Sequence, residues 1–318
     1  MAELDENIEA CDDQLLVYYW EYSVDCQRVL LALEEKKIDY KKIAVNILEL
    51  ENVSPWYMKI NPRGEVPTVV RGNDVVMETE TILHYLDDTF VETTRLCPDE
   101  ESEEGFRCKY QLKLASKIDL VKLNFGVPVL PEVAGSDDVK ENFTADDVTA
   151  LVKLFRESLV ERCDQLASEN PDLSDAYAKK KEWGLAFPES PDAELLDAAL
   201  KMTNDVLTKL EEDLTTRKME ESPDTTWWLV GTTFTTADIY WATILHRLEQ
   251  LGLEQRYWAN GKRPHVSYYL DRIKQRANLS VTEQTGFMGF VGRVKKRWPW
   301  MAVPIGVVAA GLVGLLIL

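Results

Sequence analysis

The chain has 318 residues, 45% of them hydrophobic, and a formal net charge of −19. That length holds two ordinary domains with real cores, and the acidic balance argues against nucleic acid as a partner. Five cysteines without regular spacing or a C-x-x-C pair are not a disulfide framework, and three widely separated histidines show no metal-ligand spacing, so no metal is expected.

Residues 1–14 form an acidic N-terminal tail that is neither a signal peptide nor an Arg-rich transit peptide. LLVYYW, residues 15–20, reads as a buried strand. A helix follows from about Ser23 to Lys37, with Cys26, Val29, Leu30 and Leu33 on one face. Residues 41–46 alternate as a second strand. Ser54 and Pro55 mark the cap and first position of a short helix. Residues 68–70 and 75–77 flank a Gly72-Asn73-Asp74 turn and read as a hairpin, and a helix from about Thr79 to Phe90 closes the unit. The order βαβαββα defines an α/β domain over residues 15–92.

Residues 93–280 read as an all-α domain with an insertion at about 126–217. In the insertion, Thr144 and Asp147 form a capping box, with Phe143 and Val148 as its staple. The helix they open has apolar positions 148, 151, 152, 155, 159, 163 and 166. A connector with Pro171, Pro188 and Pro191 leads to a second helix, 192–217, along Leu195, Ala199, Val206, Leu210 and Leu214. This helical pair either packs on the body or offers a charged partner surface; both readings stay open. Further on, Thr235 and Asp238 make a capping box with Phe234 and Ile239 as its staple, a folding role rather than a catalytic one.

The end of the chain is different in kind. Residues 281–297 place Phe287, Phe290, Val291 and Val294 at helical spacing among basic residues, suited to a membrane surface or to a last helix of the body. Residues 287–318 carry four basic side chains and no acid, which leaves −23 on the rest. Residues 298–318 contain the uncharged run MAVPIGVVAAGLVGLLIL, about 27 Å as a helix, the depth of a bilayer's hydrocarbon core. Trp298 and Trp300 stand at its entrance and Lys295 to Arg297 mark a cytosolic side. The expectation is a transmembrane tail anchor with the body in the cytosol.

NPRGEVPTV (61–69) followed by METETILHYL (77–86) resembles the thioredoxin-like N-terminal domain of glutathione transferases, and the Thr235 box resembles one in their helical C-terminal domain. The resemblance implies the glutathione transferase fold. It implies glutathione as the ligand, with the Val66 backbone beside a cis Pro67 pairing with the cysteinyl residue and Glu78-Thr79 holding the γ-glutamyl end. Aligning Arg28-Val29 with the family's Arg-Val puts Ser23 at the catalytic position. The flanking acids Glu21 and Asp25 disfavour a thiolate there, and Ser23 also suits a plain N-cap. Cys26 belongs to the core.

Body, insertion, anchor and the stretch WANGKRPHVSYY (258–269) together resemble the ganglioside-induced differentiation-associated protein family. That resemblance implies the mitochondrial outer membrane, a role in mitochondrial network dynamics and fission, and peroxisomal targeting as well. Three functions stay open: a membrane-anchored protein with weak or absent catalysis, an active transferase joining glutathione to hydrophobic electrophiles, and a glutathione-binding redox sensor. Expected partners are the membrane, through the C-terminal helix, and proteins or a second copy, through the insertion or the body.

Overall fold

A computed structural model describes residues 13–135, 145–186, 190, 192–220 and 227–276. The acidic tail, the Thr144 cap, the amphipathic segment and the anchor therefore lie outside the described residues. Among the described residues no helix is long and apolar enough to cross a membrane.

The first domain runs β1 (Leu15–Tyr19), α1 (Val24–Lys36), β2 (Tyr40–Ala44), α2 (Pro55–Ile60), β3 (Thr68–Arg71), β4 (Asp74–Met77) and α3 (Thr79–Thr89). The sheet order is β2-β1-β3-β4, with β2 parallel to β1 and the other pairs antiparallel. The expected βαβαββα order is present. Two details differ. Asp74 pairs with Arg71 inside the hairpin ladder rather than in the turn. Ser54 precedes α2 with no side-chain cap bond, and its carbonyl receives the Tyr57 and Met58 amides.

Strand alternation sorts the core. Leu15 and Val17 join the cluster with Val29, Leu30 and Leu33 of α1 and Leu83 and Leu86 of α3. Leu16 and Tyr18 join a second cluster with Tyr57 and Met58 of α2. Cys26 belongs to this second cluster, with Trp20 and Tyr22, and not to the face of Val29 and Leu33. The cause is local: its Sγ accepts the Trp20 amide at 3.4 Å, turning the first helical turn back on the end of β1.

The helical domain follows as α4 (Glu103–Ala115), α5 (Leu120–Gly126), α6 (Pro131–Ala134), α7 (Ala145–Glu169), α8 (Ser174–Leu185), α9 (Ala193–Glu220), α10 (Thr236–Gln250), α11 (Glu254–Tyr257) and α12 (Pro264–Arg276). Both expected helices form, as α7 and α9, and a further helix lies in the connector between them. The connector contains α8, which folds against α7 as a hairpin so close that a Cβ on Gly184 would stand 2.4 Å from Leu159. Val152, Phe155, Leu159, Cys163 and Leu166 of α7 and Tyr177 of α8 complete the second cluster over α2. The hairpin thus packs on the first domain.

Helix α9 instead belongs to the body, where it packs on α5, α6 and α12. Its buried stripe passes through Leu196, Ala199, Leu200, Val206, Leu207, Leu210 and Leu214, and Leu195 is exposed, one position off that face. WANGKRPHVSYY is the seam onto α9. Arg263 Nη2 donates to Asn204 Oδ1 at 2.8 Å and to Thr208 Oγ1 at 2.9 Å, and Glu211 accepts the backbone amides of His265 and Val266.

Helix α10 is the axis between domains, packed on both α1 and α4. Its capping box is present. The fully buried Asp238 carboxylate accepts from Thr235 N at 2.8 Å, Leu229 N at 3.1 Å and the Tyr269 hydroxyl at 2.6 Å. With the Thr235 hydroxyl as a fourth donor at 3.0 Å, this buried carboxylate is a folding element, as the box predicts.

Candidate functional site

A cleft of about 380 Å³ opens where α1, the 61–67 loop, the start of α3 and α10 meet. Its floor is the Val66-Pro67 peptide, which is cis. That loop is held from behind by buried polar groups. The Tyr57 hydroxyl and Asn61 Nδ2 both donate to the Glu65 carbonyl, and Asn61 Nδ2 also reaches Thr68 Oγ1 at 2.9 Å. These bonds hold the Glu65 carbonyl just before Val66, which lines the cleft.

The second wall is the N-terminus of α3. Glu78 stands before it with φ 68° and ψ 130°, an unfavourable backbone for a residue with a Cβ, and makes no side-chain cap bond. Such strain persists where the surrounding structure over-determines it, and clusters at ligand sites. Thr79 and Glu80, the first residues of α3, line the cleft beside Glu78. A helix N-terminus in that state favours an anion such as a carboxylate. The Glu78 side chain pairs instead with Arg63, which also bonds Glu65 at 2.9 Å. Val66, Pro67, Glu78 and Thr79, all read from the sequence, therefore line one cleft.

Ser23 does not join them. It is 1% exposed, and its Oγ accepts the Cys26 amide at 3.1 Å as the N-cap of α1. Asp25 takes its place in the cleft wall. Asp25 is paired with Arg28 at 2.5 Å, and Arg28 lies over the Tyr240 ring at 4.0 Å and donates to Thr243 Oγ1 at 3.3 Å. Burial pushes the Tyr240 phenol up, against the lowering pull of Arg28, so it stays protonated. Burial likewise pushes the Cys26 thiol up to about 12, which makes it inert.

Carboxylates from Asp25, Glu65, Glu78 and Glu80 therefore edge the cleft, against Arg63 on the wall and Arg28 behind Asp25. Among the described residues no cluster suited to a metal is found. Arg63 and Tyr240 were not singled out by reading the sequence. Arg63 sits inside the NPRGEVPTV motif, but Tyr240 reaches the cleft only through the docking of α10 on α1.

Family models agree with this architecture. Residues 22–89 match the glutathione S-transferase N-terminal domain and residues 148–277 match the glutathione S-transferase C-terminal domain. The chain belongs to the glutathione S-transferase family. This transferase-family chain is 28% identical to human ganglioside-induced differentiation-associated protein 1-like 1, over 83% of its own length and 72% of the relative's. The resemblance to that branch, read from the motifs, thus holds along most of the chain.

The transferase-family chain is also 26% identical to the glutathione S-transferase TCHQD of Arabidopsis thaliana, over 91% of its own length and 97% of the relative's. Solved structures share its fold. The β-etherase LigF of Sphingobium sp. strain SYK-6 superposes with a TM-score of 0.56 at 22% identity, over 85% of this chain and 98% of that one. Ure2p in complex with glutathione superposes at 0.54 and 15% identity, over 83% of this chain and 95% of that one.

Proposed function

We propose that this protein keeps the peptide-holding half of a glutathione site without the thiol-activating half, and acts as a membrane-anchored factor in mitochondrial network dynamics, including fission. The observation that carries the first part is the state of Ser23. Its oxygen is spent on the Cys26 amide and it is absent from the cleft walls, where Asp25 stands instead. A carboxylate there works against a thiolate, because like charges a few ångströms apart raise the thiol's pKa.

The other half fits glutathione. The Val66 main chain offers hydrogen bonds to a peptide, and Thr79 with the α3 N-terminus suits the γ-glutamyl carboxylate. When bound, glutathione supplies a thiol. The chain's own residues hold the peptide and do not deprotonate it. The test is calorimetric titration of the full chain in detergent with glutathione, with a conjugation assay on the wild type and Ser23→Ala. Expected are binding and no Ser23-dependent turnover. Turnover lost in Ser23→Ala would replace this reading with the active transferase, and no binding would remove glutathione as the ligand.

The second part is supported by the likeness to the ganglioside-induced differentiation-associated branch and by the uncharged run 301–318 behind Lys295 to Arg297. The body faces the cytosol from the mitochondrial outer membrane, with the peroxisomal membrane as a second destination. Protein partners or a second copy engage the body. Deleting residues 298–318 should release the protein from the organelle fraction and abolish its effect on network morphology. An unchanged distribution would refute the anchor.

A further inference from the structure

The α7–α8 hairpin meets the back of the cleft wall through a contact left half made. Lys180 of α8 is 3% exposed, and its Nζ has no hydrogen-bond partner. The ammonium rests on the Trp183 ring at 4.1 Å. On the other side of the same spot lies Asn52. Its Nδ2 donates to the Gly64 carbonyl at 2.9 Å, while its Oδ1 is buried and unpaired. Buried orphan groups are rare and costly, and here a donor and an acceptor are orphaned around one residue.

That residue is Gly64, with φ +59°; a Cβ on it would stand 3.5 Å from Lys180 Cε and 2.9 Å from the Asn52 carbonyl oxygen. Its neighbours Arg63 and Glu65 line the cleft. Gly64 thus stands between two cleft-lining residues and is packed against Lys180 from behind. The hairpin is otherwise anchored nearby, since the Tyr177 hydroxyl donates to the Val53 carbonyl at 3.1 Å.

We propose that Lys180 couples the insertion hairpin to the cleft: the seating of α8 sets the position of the 61–67 wall, and a ligand on that wall in turn seats α8. This rests on the reading of the cleft as a peptide site. A ligand pairing with the Val66 main chain draws the wall and shifts Gly64. The shift offers Nζ and Oδ1 to each other, directly or through one water, and completes the contact. Such coupling is reciprocal, so whatever displaces the hairpin weakens the ligand by the same factor. The hairpin's outer face becomes an input and the cleft an output, or the reverse.

Amide hydrogen exchange on the full chain in detergent tests this, with Lys180→Met, which keeps the stem and removes the charge. In the free protein, Lys180→Met should change exchange in 61–67 at least threefold without lowering the thermal midpoint. In the wild type, glutathione should slow exchange in 174–185 as well as in 61–67, and in Lys180→Met only in 61–67. Protection confined to 61–67 in the wild type, or spreading to 174–185 in the variant, overturns the coupling. Should glutathione protect neither segment, the ligand reading falls, and the free protein decides: an altered wall upholds the coupling and an unaltered wall refutes it.

Discussion

Two helices of the first domain begin at the edge of the same cleft, and they begin in opposite ways. Helix α1 is closed by its own cap: Ser23 bonds the Cys26 amide, and Asp25 fills the first turn with negative charge. Helix α3 is left uncapped: Glu78 gives no side-chain cap bond and bends through a positive φ, and Thr79 lines the cleft. An N-terminus that satisfies itself adds stability. One that does not is an anion site held in reserve. At the edge of one cleft this chain caps one helix N-terminus with its own side chain and leaves the other without a side-chain cap.

A wholly structural N-terminus gives the scale, and α10 is one. Asp238→Ala leaves the amides of Thr235 and Leu229 and the Tyr269 hydroxyl unpaired in the core. Chemical denaturation should show a loss of about 3 kcal/mol or more.

The wall between the two helices titrates. Burial lowers the Lys180 pKa to about 8, below its ordinary 10.5. Between those values the unfolded chain holds one proton more than the folded, so stability rises with pH from about 8 to 10.5. Below pH 8 the buried charge costs the fold on the order of 3 kcal/mol. Lys180→Met should therefore be the more stable protein at pH 7, and its advantage should shrink as pH is raised through that window, measured by denaturation in parallel.

Removing the Thr79 hydroxyl at the uncapped helix is the next largest effect. Thr79→Val should weaken glutathione about tenfold, or about 1.4 kcal/mol, by calorimetry, with folding stability nearly unchanged. Ser23→Ala should do the opposite: a loss of about 1 kcal/mol of stability and glutathione affinity within threefold of wild type. If Ser23→Ala abolished binding and Thr79→Val did not, the contrast between the two helices would be reversed. Smallest is Asp25→Asn, which removes one carboxylate from the cleft. It should tighten glutathione about twofold at low salt, and the gain should fade as salt is raised.

Much of the first domain was legible. Strand alternation, the Ser23 cap and the NPRGEVPTV motif are local signals, and each names a neighbour within a few residues. The apolar stripe of α9 was legible only to within one position, because Leu195 and Leu196 both suit a helical face until a partner helix selects one. Helix α8 was missed because it is weakly amphipathic and flanked by prolines, so its stability comes from packing on α7 and α2. Cys26 was placed in the core by its apolar spacing, yet in the wrong cluster, since periodicity gives a face and not what covers it.

The sequence by itself determined the order of elements in the first domain, the caps of α1 and α10, and which residues carry the family's pattern. Those depend on backbone hydrogen bonds and side chains close along the chain. Only the tertiary structure decided that Val66, Pro67, Glu78 and Thr79 share one cleft while Ser23 turns away from it. It alone set Tyr240 and Arg28 behind Asp25, and placed Lys180 against Gly64 from 116 positions further along the chain. Such meetings are chosen by how two helical layers bury their faces on one sheet, and no local signal encodes the side chain waiting on the other layer.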